Sequence, residues 1–229
     1  MPMYLSRLTL NPRNAQVRAE LARPYELHRT LLRAFPQGIV HKERDDDDAA
    51  GVLFRVDEQP RTNSIAVLVQ SKIAPDWAFL NDKRDARGHA YLLRPPESKS
   101  FDSLARLAAG QTLAFRLRAN PTKRLGKGAG DDHHKRVGIY AEDEQLKWLQ
   151  RKADAGGFRI VRAMVSREER IENDAAIHRD ERTHDLKLLS VQFDGVLQVA
   201  DAARLRCALA CGIGSGKGFG FGLLSLAPA

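Results

Sequence analysis

The stretch "DEQLKWLQRKADAGGFRIVRAMVS", residues 143–166, sets the architecture of the chain. Its first part reads as a helix stopped by Gly156 and Gly157, and "FRIVRAMVS" (158–166) then reads as a strand. Upstream, "TLAFRLRAN" (112–120) is a strand; downstream, "LKLLSVQFDGVLQV" (186–199) supplies strands with Asp194-Gly195 read as a hairpin turn. "DAARLRCALACG" (201–212) is then a helix and "FGLLSLAP" (221–228) a last strand. The resulting order, β-α-β-β-α-β, is ferredoxin-like.

The first half gives the same order. "MYLSRLTL" (3–10) puts Tyr4, Ser6 and Leu8 on one face and Leu5, Arg7 and Thr9 on the other, the period of a strand. "RPYELHRTLLRAFP" (23–36) is a helix opened by Pro24 and stopped by Pro36, with Leu27, Leu31, Ala34 and Phe35 at helical spacing. "GVLFRVDE" and "SIAVLVQSK" are strands joined by a turn at "QPRTN", followed by a weak helix at "DWAFLND" and a strand at "AYLLRPP". The expected fold class is α+β, two tandem ferredoxin-like (RRM-like) domains: residues 1–97, a connector over 98–110, and residues 111–229. The halves share this order without visible sequence identity. Two stretches fit no element: the acidic run Asp45–Asp48 reads as a solvated loop, and "NPTKRLGKGAGDDHHKR" as a loop or a basic contact to nucleic acid.

Composition narrows the function. Among 229 residues, 37 Lys plus Arg against 29 Asp plus Glu leave a net charge of +8, which favours a polyanionic partner. Two cysteines, Cys207 and Cys211, are too few for a disulfide framework and at i, i+4 read as small core residues of one helix face. The start "MPMYLSRLTLNPR" has no apolar signal region and no run of apolar residues is long enough to span a bilayer, so a cytoplasmic protein without a membrane partner is expected.

Near the C-terminus, glycine occupies every second position from Gly212 to Gly222 (Gly212, Gly214, Gly216, Gly218, Gly220, Gly222). A Walker P-loop is excluded because Cys211 stands where its first glycine belongs and Gly218 where its Ser or Thr belongs. A dinucleotide fingerprint needs an odd offset that an all-even series never supplies. "KGFGF" (217–221) matches the start of the RRM motif RNP1, but Gly222 and Leu224 break it and the chain ends too soon after it. What remains is a glycine-rich turn between the last helix and last strand, either a packing loop or one whose NH groups and Lys217 meet phosphates.

Histidine is the side chain that moves protons near neutral pH. Of seven, His28 is best placed: it projects beside the Leu27/Leu31 stripe, half-shielded, with Tyr25 one turn earlier on the same side. By pattern alone such a histidine is more often structural. His133 and His134 in "DDHHK" lack metal-site spacing, His178 and His184 flank no metal motif, and His41 and His89 are isolated, so neither metal nor cofactor is expected. Lys123 and Arg124 leave the strand that opens the second half; Arg159 and Arg167 share strand parity while Arg162 opposes them, and only a bend or bulge unites the three.

The blocks "MYLSRLTL", "YELHRTLLRAFP", "YLLRPP", "FRLRANPTKR", "LLSVQFDGVLQV" and "GIGSGKGFGFGLLSLAP", in this order, resemble the RAMP superfamily of CRISPR-associated RNA-binding proteins. Within it they are similar to the CasE family of endoribonucleases, subunits of type I-E Cascade, over nearly the whole chain. The resemblance implies that Tyr25 and His28 are the catalytic pair and that the glycine tract is the superfamily's glycine loop. It further implies that Lys123, Arg124, Arg159, Arg162, Arg167 and Lys217 contact a CRISPR repeat stem-loop. The implied reaction is metal-independent cleavage at the 3′ base of that stem-loop, leaving a 2′,3′-cyclic phosphate and a 5′-OH. The implied partners are the crRNA and other Cascade subunits, with the isolated protein a monomer. A non-catalytic RNA-capping subunit is the alternative, against which the Tyr25/His28 pair argues.

Overall fold

The computed structural model describes residues 3–37, 50–101, 106–125, 136–173 and 186–229. Its contacts divide the chain into two units, Met1–Arg106 with Lys217–Gly220, and Leu107–Gly216 with Phe221–Ala229.

In the first unit, β1 (Met3–Leu10), β2 (Leu53–Gln59), β3 (Ser64–Ser71) and β4 (Glu97–Phe101) form an antiparallel sheet in the order β2-β3-β1-β4. Two helices, α1 (Ala15–Ala22) and α2 (Pro24–Leu32), follow β1. Leu8, Leu10, Phe54, Val67 and Val69 from β1, β2 and β3 pack with Val17, Leu27 and Leu31 from the helices.

This unit departs from the sequence reading in three places. Helix α1 was not expected: its buried residues are only Val17 and Glu20, so it has no apolar stripe, and its start is set by Asn14, whose side chain accepts from the backbone NH groups of Gln16 and Val17. The "DWAFLND" helix is a single 3-10 turn, Ala78–Leu80. The strand expected at "AYLLRPP" makes only isolated bridges, Leu10 to Leu92 and Arg84 to Ala90. The strand that pairs with β1 instead lies in the expected connector, in register from Met3 with Phe101 to Arg7 with Glu97. Its sequence "ESKSF" is exposed along almost its whole length, so no apolar alternation marked it.

The second unit has both helices of the expected order. Its sheet runs β10-β5-β9-β8, with β5 Thr112–Ala119, β8 Phe158–Asn173, β9 Leu186–Val199 and β10 Leu224–Pro228. Helix α3 (Glu142–Ala155) precedes β8, and α4 (Ala202–Cys211), capped by Asp201, precedes β10. A two-stranded ribbon, β6 (Thr122–Arg124) with β7 (Arg136–Gly138), was not expected. Both units therefore carry the ferredoxin-like strand order, the first with a 3-10 turn where the second has a full helix.

Asp194-Gly195 is not a turn: β9 runs unbroken through it, with Gly195 paired to Ala163 and Phe115. Glycine is there because β8 bulges toward it, and a Cβ on Gly195 would sit 2.0 Å from the Arg162 carbonyl oxygen. The atoms it would meet are all backbone of Arg162 and Ala163, so nothing flexible is there to yield. Gly195→Ala is expected to lower stability by about 3 kcal/mol or more, an overpacking cost at the upper end of its range; urea unfolding of the full chain checks it, and an unchanged midpoint would contradict the packing described.

The cysteines also differ from expectation. Helix α4 buries Leu205 and Leu209, and residues two positions further on point about 200° away, so Cys207 and Cys211 are exposed thiols rather than core.

Candidate active site

Pro24 starts α2 without needing a backbone donor, and Leu27, Thr30 and Leu31 turn one face of the helix inward. This leaves Tyr25 and His28 half-buried at its margin, their ring centroids 6.0 Å apart. The imidazole lies nearly parallel to the ring of Phe54, with centroids 5.8 Å apart and planes inclined by 12°. Phe54 is fully buried in β2, so it gives His28 a rigid apolar backing.

The tip of the glycine tract, Lys217–Gly220, groups with the first unit and meets α2 there. A Cβ on Gly218 would lie 3.2 Å from His28 Cδ2, 3.5 Å from its Nε2 and 3.6 Å from Tyr25 Cδ2. The absent side chain thus lets backbone lie against the imidazole edge that carries Nε2. Phe219 packs its ring 5.7 Å from that of Tyr25, and a Cβ on Gly220 would come within 3.1 Å of Phe54. Lys217 is exposed beside them. His28 is therefore held by Phe54 on its face and by Gly218 at its edge.

The spacing of the tract now has a physical cause. Gly214 and Gly216, within the second unit, would place a Cβ 3.2 Å from Trp148 and 2.9 Å from Phe221, so four successive even positions each face an aromatic ring. Gly212 ends α4 and Gly222 lies against Ile213 backbone. "KGFGF" begins in a 3-10 turn, Lys217–Phe219, which removes the likeness to a strand-borne RNP1.

Apart from Lys217, the expected RNA contacts lie in the second unit. Lys123 and Arg124 are exposed on the β6–β7 ribbon, opposite Val137 and Arg136; as neighbours on one strand they alternate in face. On β8 the register shifts between Ile160 and Arg162 and again between Val165 and Arg167. Arg159, Arg162 and Arg167 accordingly pair with Gln198, Val196 and Gln192, all of one parity on β9, so two bulges bring the three positions to one face. Arg159 and Arg162 are exposed; the Arg167 side chain lies outside the described residues. The same face carries Arg116, whose Nε donates to Asp194 Oδ1 at 2.6 Å, and Arg118, which donates to Ser190. The Ser166 hydroxyl and Gln192, which donates at 2.9 Å, also donate to Asp194; against the opposing effect of burial, Arg116 first and then these two hold its carboxyl below its ordinary range.

Asp45–Asp48, His41, His133, His134, His178 and His184 fall outside the described residues. His89 is engaged with Asp85 at 3.1 Å. The ring partners that the sequence reading missed are Phe54, against His28, and Phe219, against Tyr25, neither adjacent in the chain to the residue it meets.

An imidazole backed by an apolar ring, with a phenol beside it and a lysine in reach of solvent, has the parts for moving a proton at a phosphate: a group that both accepts and donates near neutral pH, a hydroxyl to orient, and a cation. Relatives share this chain from end to end. The CRISPR-associated endoribonuclease Cse3 of Thermus thermophilus is 35% identical over 99% of this chain and 100% of its own length. The CRISPR system Cascade subunit CasE of Escherichia coli K12 is 30% identical, again over 99% of this chain and 100% of its own. The structure of Thermus thermophilus Cse3 bound to an RNA representing a pre-cleavage complex superposes with a TM-score of 0.78 at 34% identity, covering all of both chains. The profile of the family described as CRISPR associated protein matches residues 3–228, and this chain belongs to that family.

Proposed function

We propose that this protein is an endoribonuclease that cleaves CRISPR precursor RNA at the 3′ base of the repeat stem-loop and stays on the product as a Cascade subunit. The observation that carries the reading is the placement of His28 beside Tyr25, backed by Phe54 and closed by Gly218. Two full-length relatives support it, one named as an endoribonuclease and one as a Cascade subunit.

In this reading the 2′-OH next to the scissile phosphate attacks phosphorus in line. The proton it loses and the proton gained by the departing 5′-oxygen need an acid and a base, and His28 serves as one of them at its Nε2 edge. Tyr25 orients the 2′-OH or a phosphate oxygen, and Lys217 offsets charge building on the phosphate. The 5′-oxygen leaves with a proton, so the ends are a 2′,3′-cyclic phosphate and a 5′-OH. Arg159, Arg162 and Arg167 on β8, with Lys123 and Arg124 on the ribbon, hold the stem by phosphate and shape rather than by reading its deep groove. The first unit bears the catalytic helix, and the second bears most of the groups assigned to the RNA. The protein acts in the cytoplasm and is a monomer when isolated; no helix among the described residues is long and apolar enough to cross a membrane.

Cleavage of a repeat hairpin in excess EDTA, with both new ends mapped, tests the reading. Undiminished cutting with a cyclic phosphate on one end and a hydroxyl on the other is expected. Loss of activity with EDTA, or 3′-OH and 5′-phosphate ends, would overturn it.

A further inference from the structure

Helix α1 presents to α2 a buried ionisable group that the proposed chemistry does not use. Glu20 of α1 is 5% exposed, and its carboxylate collects three donors. Gln16 Nε2 and Thr30 Oγ1 donate to Oε1 at 2.7 and 2.8 Å, and the Tyr91 hydroxyl donates to Oε2. Lys83 places its ammonium 4.6 Å from the centroid of the Tyr91 ring. Burial pulls the Lys83 pKa down and Arg33 adds to this, while Glu20 opposes both. Burial, with the carboxylate beside it, pushes the Tyr91 phenol well above its ordinary range, so it stays a donor.

A buried carboxylate is expensive unless its oxygens are satisfied, and apolar packing would join two helices at lower cost. What the carboxylate adds is direction. Thr30 follows His28 by two positions, about 200° round the helix, so a bond from Thr30 to α1 restrains the side of α2 opposite the imidazole. The start of α2 has no side-chain cap, in contrast to the Asn14 cap of α1, so capping does not fix where α2 sits.

We infer that Glu20, through its hydrogen bond to Thr30, is a positioning residue that sets the rotation and depth of α2, and with them the seat of His28 between Phe54 and Gly218. The inference rests on the reading of His28 as a catalytic group. It separates hydrogen bonding from packing, because valine fills the space of threonine without the hydroxyl.

The test uses the full chain and a repeat hairpin, with single-turnover rate at saturating protein and hairpin Kd measured separately. Thr30→Val is expected to cut about tenfold more slowly with Kd within about twofold of the parent, since small displacements at a reacting centre act on rate. Thr30→Ser, which restores the hydroxyl, returns the rate to near the parent value; a purely structural role at this position would not give that rescue. Thr30→Ala is a second removal of the hydroxyl should the valine variant not fold. A hydroxyl-free variant that cuts at the parent rate, or a serine variant as slow as valine, overturns the inference. His28→Ala in the same series distinguishes the two levels: if it is inactive while Thr30→Val is fully active, only the anchoring role is lost. If His28→Ala itself cuts at the parent rate, the underlying reading fails.

Discussion

Replacing His28 with alanine lowers the single-turnover rate of hairpin cleavage by about a thousandfold, within the range expected for losing a general acid or base, and leaves the hairpin Kd within about twofold. The rate falls because an imidazole suits both proton roles near neutral pH, and among the described residues at this site His28 supplies it. The Kd holds because the groups assigned to the stem, on β8 and the β6–β7 ribbon, are untouched by a change on α2. The fold also tolerates the change. His28 is half-buried, alanine suits a helix interior, and the apolar contacts of Leu27 and Leu31 remain. Equal loss of rate and binding would mean that His28 holds the site together rather than acting on protons. Full activity would place the chemistry on another group.

Gly218→Ala, a change outside the acid and base themselves, is expected to slow cleavage by about tenfold to a hundredfold with Kd unchanged, because misplacing a reacting group by a fraction of an ångström to an ångström costs rate on that scale. The backbone at Gly218 is not in the left-handed region, so alanine adds no conformational strain, and the effect isolates the contact with His28. The added methyl would stand 3.2 Å from Cδ2 and 3.5 Å from Nε2, and Phe54 behind the ring prevents an easy retreat. Gly220→Ala is a poorer probe, since Gly220 has φ of +82° and would be strained wherever its methyl went. Parent-like cleavage by Gly218→Ala would show that the loop does not fix the imidazole.

The sequence carried most of the strands and the placing of Tyr25 beside His28 because both are local signals. Alternation in "MYLSRLTL" and helical spacing in "RPYELHRTLL" need no knowledge of partners, and Tyr25 and His28 are one turn apart on one helix. What it did not carry depends on contacts between segments. Phe54 and Phe219 reach His28 and Tyr25 only through the fold, and Gly195 looks like a turn until the bulged carbonyl of Arg162 is seen beside it. Helix α1 hides because its buried face includes a glutamate, and β4 because its side chains are exposed, so hydrophobic period marks neither. The requirement for a bulge to align Arg159, Arg162 and Arg167 was legible; that β8 bulges twice was not.

The central claim is that the RNA supplies its own nucleophile and His28 moves the proton. A repeat hairpin with a single 2′-deoxy nucleotide immediately 5′ of the scissile phosphate tests it most directly, with binding followed alongside cleavage. The account predicts that this hairpin binds like the all-ribose RNA and is not cut. Cleavage of the substituted strand at the same linkage would contradict it.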